Sequence, residues 1–355
     1  GLGAWFFASR LTPRPIIRAF VGVGYALAPA LLIALADGRV GAVLAAVFIP
    51  WMGYSALRAV RSWSASAATA LLFAGTLACA PSLGPVLILL WLGALALTGR
   101  YVARYLAIPV PAAVLFAPLI VSQSLAGNPL GLFADPGAKV AFSRAPNWEL
   151  LLGYPTTGLG GWSGFIAQFT SNSSLIAMFV TIVLTAVVAA LAVAGLFSPT
   201  PIRAQLALLV LAFSVVCAVA ANHLGVAFSG ESSVALWPGS SLMVGWLALL
   251  VGAASGAAVL RRFAVYPAIA GLLAIVLLAV PVSVALFRGS VAVKPSEGQT
   301  LPAYVVARAM VDPELVTLLL DPQLNGGLAV SLQRGLGATL NNSSSAVATQ
   351  VRVTP

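Results

Sequence analysis

Long apolar runs, separated by short polar or Pro/Gly-rich connections, fill most of this chain. Apolar runs of about 20 residues predict helices that cross a membrane rather than helices of a soluble core. The short segments of alternating polarity that mark a membrane β-barrel do not occur in the sequence. We therefore predict an all-α polytopic membrane protein with about nine transmembrane helices. The predicted spans lie near 19–36, 40–57, 65–82, 84–99, 106–126, 174–196, 204–222, 239–259 and 263–286.

Composition agrees with this pattern. The chain is 61% hydrophobic and only 7% charged, and its mean hydropathy is +1.04. Soluble domains are about a quarter charged. The net charge of +10 does not indicate a nucleic-acid partner, because the basic residues stand singly or in pairs between apolar runs. The expected partner is the lipid bilayer.

The charges also predict an orientation. With the N-terminus in the cytoplasm, the flanking arginines fall on the cytoplasmic side, as the positive-inside rule predicts, and every acidic residue falls outside. The predicted topology is therefore N-in and C-out. The inside arginines are Arg10, Arg14, Arg18, Arg58, Arg61, Arg100, Arg104, Arg203, Arg261 and Arg262. The outside acids are Asp37, Asp135, Glu149, Glu231, Glu297, Asp312, Glu314 and Asp321.

This topology divides the chain into four parts. Residues 1–126 form five helices after a cytoplasmic N-terminus, and residues 127–173 form an extracytoplasmic loop. Residues 174–287 form the last four helices, and residues 288–355 form an extracytoplasmic tail. In the tail, apolar segments at 316–320 and 328–335 flank an Asn-Gly-Gly turn, which predicts a β-hairpin. The opening GLGAWFF lacks the features of a signal peptide and is expected of a piece of a longer protein.

The sequence carries few motifs of catalysis. It has no Gly-rich phosphate loop, no HExxH, no CxxC and no Asp-x-Asp pair. One histidine cannot form a histidine metal cluster, so we predict no metal and no cofactor. Both cysteines, Cys79 and Cys217, fall in apolar runs and are expected to be core residues. The spacing Gly252-Ala-Ala-Ser-Gly256 either brings two helices close together or reflects chance in a chain with 33 glycines.

The loop at 127–173 concentrates charge that the spans lack. One interpretation is a solvated connection that caps helix ends. The other is a site in which Arg144 binds a phosphate, Trp148 stacks on a sugar, and Asp135 or Glu149 acts as a base. The candidate substrate-binding residues are thus Arg144 and Trp148, and the candidate catalytic residues are Asp135 and Glu149.

Three stretches carry a family resemblance. YALAPALLIALADGRVGAVLAAVFIPWMGYSALRAV at 25–60 resembles the membrane region of large actinobacterial family 2 glycosyltransferases. The loop LFADPGAKVAFSRAPNWELLLGYPT resembles the outer loop of that family, through its Asp-Pro-Gly and its Leu-Leu-Gly-x-Pro. The tail SLQRGLGATLNNSSSAVAT resembles its extracytoplasmic end.

The resemblance implies that this chain is the membrane portion of a cell-envelope glycosyltransferase in a bacterial plasma membrane. Members of the family carry a cytoplasmic transferase domain before this region, and its acidic metal-binding motif has no counterpart here. The chain would then anchor the enzyme or handle a polyprenyl-phosphate-linked glycan.

Two other functions are compatible with the sequence. One is an autonomous multi-span transferase that uses polyprenyl-phosphate sugars. Enzymes of that class place an acidic residue in the first outer loop, which here is only about Ala36 to Arg39, so Asp135 or Glu149 would have to serve. The other is a non-catalytic flippase-like or scaffold protein.

Overall fold

The computed structural model describes residues 1–125, 127–137, 142–198, 201–229, 232–260, 263–289, 301–312, 314–322, 328–334 and 337. Most of these residues are helical. The helices are α1 (Leu2–Ser9), α2 (Pro15–Ala26), α3 (Pro29–Ala36), α4 (Val40–Ala59), α5 (Trp63–Cys79), α6 (Gly84–Leu97), α7 (Val102–Leu106), α8 (Val110–Leu125), α9 (Asn147–Leu151), α10 (Trp162–Ala167), α11 (Ser173–Ala194), α12 (Pro201–His223), α13 (Gly239–Val259), α14 (Val265–Phe287) and α15 (Ala303–Val311).

Seven helical stretches among the described residues are long and apolar enough to cross a membrane. The coarse prediction of a helical polytopic membrane protein is therefore confirmed. Two of the stretches combine neighbouring helices, α2 with α3 and α7 with α8. The stretches are Pro15–Ala36, Val40–Ala59, Val102–Leu125, Ser173–Phe197, Pro201–His223, Gly239–Val259 and Val265–Phe287.

The predicted count of nine spans is not confirmed. The third and fourth predicted spans correspond to α5 and to a second segment, Pro81–Leu97, and the two are bent by 118° at Ala80. With 17 residues in α5 and 14 in α6, each is shorter than the roughly 20 residues of a full crossing. Pro81 and Pro85 explain the break, because proline lacks the N–H that would continue the helical ladder.

Helix α13 is the centre of the bundle. It is the most buried of the seven crossing stretches, and it packs against α2, α4, α11 and α12. Near the C-terminal end of α13 its backbone lies very close to that of α11, since a Cβ placed on Gly256 would lie 1.8 Å from the carbonyl oxygen of Leu191. The small-residue spacing at 252–256 is thus a helix-packing contact with α11.

The charges collect at opposite ends of the bundle. At one end, the Arg10 guanidinium donates to the Tyr54 hydroxyl, Arg203 donates to the Leu11 carbonyl, and Arg104 donates to the Val60 carbonyl. We call this the arginine end. Asp37 and Arg39 precede α4, whose 20 residues separate them from Val60 by about 30 Å at 1.5 Å per residue. The end that contains Asp37, Arg39 and the segments 127–137 and 142–168 is the loop end.

Two antiparallel hairpins complete the described structure. Strands β3 (Val316–Pro322) and β4 (Leu328–Arg334) pair in the register Val316↔Arg334 to Pro322↔Leu328, so the hairpin predicted in the tail is confirmed. Its predicted turn at 325–327 lies outside the described residues. Strands β1 (Gly225–Ser229) and β2 (Ser232–Ala235) form a hairpin between α12 and α13 that the sequence analysis did not predict.

Candidate functional site

A polar cluster lies at the loop end, where three separate parts of the chain meet. They are the short connection 37–39, the tip of the bent pair at 79–84, and the loop segment 133–137. A Cβ on Gly41 would lie 2.4 Å from the Cys79 carbonyl oxygen and 3.4 Å from the Pro136 carbonyl oxygen. This close approach requires glycine in the first turn of α4 and places Asp135 against the bent pair.

Asp135 is held by Ser82. The backbone N–H of Ser82 donates to one carboxylate oxygen of Asp135 at 3.0 Å, and the Ser82 hydroxyl donates to the other at 2.9 Å. Burial raises the pKa of Asp135 to about 6, although the two Ser82 donors and the nearby charge of Arg39 lower it. A carboxylate with such a pKa can exchange a proton near neutral pH.

Arg39 is the cation of the cluster. Its Nε lies 3.7 Å from the Asp37 carboxylate, and its guanidinium carbon lies 3.9 Å from the centre of the Trp237 ring and 5.0 Å from that of Phe142. The two rings meet edge to face at 5.2 Å. Stacking on an aromatic face stabilises a desolvated guanidinium. Burial nevertheless lowers the pKa of Arg39 and raises that of Asp37.

Glu149 lies elsewhere in the loop and has a different environment. Its side chain is buried, and a carboxylate oxygen accepts the Leu159 N–H at 3.4 Å. Residues 158–161 all have positive φ, and in this left-handed turn the N–H of Leu159 faces the Glu149 carboxylate. Burial raises the pKa of Glu149, and the N–H groups of Leu159 and Gly158 lower it. The carboxylate therefore organises the loop around itself.

Arg144 and Trp148 lie on the surface. Arg144 is exposed and forms an isolated antiparallel bridge with Thr156 through its backbone. Trp148 is 40% exposed. Within the part of the chain that the structure describes, Arg144 does not form an ion pair with Glu149. The structure thus brings only Asp135, of the four candidate residues, into the polar cluster.

Sequence analysis missed most of this cluster. Arg39, Ser82, Phe142 and Trp237 were not candidates, and the connection containing Asp37 was considered too short for a site. A signal did exist: Asp37 and Arg39 are charged residues between two apolar runs in a chain with very few charges. Among the described residues, no three His, Cys, Asp or Glu side chains come together as metal ligands.

Comparison of the chain with models of protein families, with curated proteins and with solved structures finds no match. The resemblance to family 2 glycosyltransferases therefore stays a prediction.

Proposed function

We propose that this chain is the membrane portion of a cell-envelope glycosyltransferase and that it handles a lipid-linked glycan at the loop end. One observation carries the proposal. The stretch 25–60 and the loop with Asp135-Pro136-Gly137 are two of the regions with the family resemblance, and they meet at Arg39 and Asp135. A shared site explains why segments about 100 residues apart both resemble the same family.

The chemistry of the cluster suits a sugar phosphate. Arginine is a strong ligand for phosphate oxygens, and aromatic rings present apolar faces to sugars. Asp135, with its pKa near 6, can accept a proton from a sugar hydroxyl at neutral pH. Arg144 and Trp148 are exposed on the loop and remain candidates for the first contact with a glycan.

The orientation follows from the positive-inside rule. Arg10, Arg104 and Arg203 make their contacts at one end of the bundle, which we assign to the cytoplasm. The loop end then faces outward from the plasma membrane of a bacterium. A transferase domain preceding this region in a longer chain would lie with the nucleotide sugars in the cytoplasm.

A second candidate is an autonomous transferase that uses a polyprenyl-phosphate sugar. It is favoured by Asp37, which lies in the connection between the first two crossing stretches and shares Arg39 with Asp135. The two candidates differ in what the purified chain does alone. Only an autonomous transferase would release the sugar from a polyprenyl-phosphate sugar without a preceding domain.

The test uses the full-length protein in a strain from which its gene has been removed. Membranes are supplied with radiolabelled nucleotide sugar or with polyprenyl-phosphate sugar, and lipid-linked glycan is measured. We expect Asp135→Asn and Arg39→Gln to lower the product at least tenfold at normal protein level. The matched controls Asp312→Asn and Arg308→Gln change exposed tail residues and should keep wild-type synthesis. Wild-type synthesis in both cluster variants would overturn the proposal.

A further inference from the structure

The N-terminus of α13 lies beside Arg39 and has an unusual set of hydrogen-bond donors. Its N-cap is Pro238, and no side chain caps the helix. The first N–H groups of any helix lack acceptors within that helix, and the helix dipole adds positive potential there. In α13 these groups belong to Gly239, Ser240 and Ser241, all of which are buried.

Two buried side chains at this position also lack partners. The Ser240 hydroxyl and the Trp237 Nε1 have no hydrogen-bond partner among the described residues, although Ser240 is 0% and Trp237 only 3% exposed. The Trp237 Nε1 is the atom nearest to a Cβ built on Gly239, at 2.4 Å. The indole nitrogen therefore lies directly on the first turn of α13. A buried donor without an acceptor is unfavourable, so the arrangement points to an acceptor from outside the chain.

The acceptor that fits is an anion. The indole N–H and the helix N–H groups can only donate, and the Ser240 hydroxyl can donate as well. The Arg39 guanidinium is stacked 3.9 Å from the centre of the same indole ring. The nearby carboxylates are already engaged, since Asp37 pairs with Arg39 and Asp135 accepts from Ser82.

We propose that the N-terminus of α13 binds a phosphate group, which accepts hydrogen bonds from Trp237 Nε1, Ser240 Oγ and the first-turn N–H groups. A phosphate has enough oxygens to satisfy several donors, and helix N-termini are established phosphate sites. Phe142 packs edge to face against the Trp237 ring from the loop. The choice of a prenyl phosphate as ligand rests on the proposed function, whereas the site rests on the donors alone.

The experiment measures binding to the purified chain in nanodiscs of neutral phosphatidylcholine. The probes are decaprenyl phosphate, decaprenol and inorganic phosphate. Trp237→Phe removes the N–H and keeps an aromatic ring near Arg39, and Ser240→Ala removes only the hydroxyl. Ser255→Ala is the control on the same helix, because the Ser255 hydroxyl already donates to the Val251 carbonyl.

We expect decaprenyl phosphate to bind at least tenfold more tightly than decaprenol, and each site variant to weaken that binding by tenfold or more. Tm without ligand should stay equal or rise in Ser240→Ala, since an unpartnered donor is removed. Binding of inorganic phosphate that is lost in the same variants would support the site with a soluble source of phosphate. Equal binding of decaprenyl phosphate and decaprenol, or unchanged affinity in both variants, would overturn it.

The test of the phosphate site and the test of the proposed transferase function can fail independently. Loss of glycan synthesis in Asp135→Asn with unchanged phosphate binding would support the transferase role without bearing on the site. Phosphate binding that depends on Trp237 and Ser240, in a strain whose glycan is unaffected by the cluster variants, would leave the site standing and refute the transferase role.

Discussion

Asp135 is buried among groups that act on its charge in opposite directions. Burial raises its pKa to about 6, while Ser82 and Arg39 lower it. Because the pKa in the folded protein exceeds the usual value of about 3.9, the folded state binds the proton more tightly than the unfolded state. The contribution of Asp135 to stability is therefore fully present below about pH 4 and is lost as the pH rises through about 6.

This loss of stability with rising pH can be measured by comparing the wild-type protein with Asp135→Asn. Between pH 4 and pH 7 the wild-type protein should lose about 1–3 kcal/mol of unfolding free energy relative to the variant, because the folded state binds this proton more tightly than the unfolded state. Thermal unfolding in detergent micelles across this range measures the difference. Glu149 and Asp37 also have raised pKa values and contribute to the pH dependence of both proteins. The contribution of Asp135 is therefore the difference between the unfolding free energies of wild type and variant at each pH. Parallel curves for the two proteins would contradict the prediction.

Glu149 and Arg144 should respond very differently to truncation. Glu149→Ala leaves the Leu159 N–H without its carboxylate acceptor in a buried place, which costs about 1–3 kcal/mol. Arg144→Ala changes an exposed side chain and should cost less than about 0.5 kcal/mol. Chemical denaturation of both variants in micelles tests this contrast. Equal stability of the two variants would show that the carboxylate does not hold the 158–161 turn.

At this scale, sequence reasoning recognised charged residues but not their partners. Asp135, Arg144 and Glu149 are close in sequence, and this spacing favoured one shared site. In the structure Glu149 is instead buried against the turn at 158–161, and Arg144 is exposed. The actual partners of Asp135, Ser82 and Arg39, are more than 50 residues away in the chain. Such pairing depends on tertiary packing, which local spacing does not encode.

At the scale of elements, the lengths of the apolar runs predicted the helices well, but not that two of them form one sharply bent pair. The segments 65–82 and 84–99 were predicted as separate spans, because hydropathy counts apolar residues and ignores axis direction. The structure shows the 118° bend between them. The β1–β2 hairpin was missed because its strands are only 5 and 4 residues long, and Val226, Phe228 and Val234 are their only large apolar residues, so the alternating pattern is too short to recognise.

The contact between α13 and α11 supplies a prediction for a single element. Gly256→Ala places a Cβ 1.8 Å from the Leu191 carbonyl oxygen, so the two helices must separate. We expect a loss of about 1–3 kcal/mol in unfolding free energy, typical of overpacking. Gly93→Ala in α6 is the matched control, since nothing lies within 4 Å of its added Cβ. That control should gain up to about 1 kcal/mol from helix propensity, and a similar loss in both variants would contradict the packing argument.

At the scale of the whole molecule, the class of protein was predictable because it follows from composition and the length of apolar runs. The separation of charge was predictable in part. Arg10, Arg104 and Arg203 each make their contacts at one end, and Asp37, Asp135 and Glu149 lie at the other. Arg261 and Arg262 lie outside the described residues, and so do Lys139, Glu231 and Glu297.

The bent pair decides how the chain crosses the membrane. Its beginning lies beside α7, the helix that follows its end, because the Ser66 hydroxyl donates to the Arg104 carbonyl at 2.5 Å and Arg104 donates to the Val60 carbonyl. Its tip reaches the loop end, where Ser82 meets Asp135. We infer that the pair runs toward the loop end and back, which with seven crossing stretches would put the N-terminus and the tail on opposite sides of a membrane.

Cysteine labelling in intact cells tests this path. In a background without Cys79 and Cys217, single cysteines replace Ser64, Thr98, Asn147 and Ala307. The first two lie at the start and end of the bent pair, and we expect both to resist a membrane-impermeant maleimide because they share the arginine end, which we place in the cytoplasm. Asn147→Cys in the loop and Ala307→Cys in α15 should react.

If the pair were instead one broken span, Ser64→Cys and Thr98→Cys would lie on opposite sides and only one would react. Labelling after permeabilisation, which should modify all four, confirms that each cysteine is accessible. Reaction of Thr98→Cys together with protection of both Ser64→Cys and Asn147→Cys in intact cells would refute the two-way path and, with it, the outward orientation of the loop end.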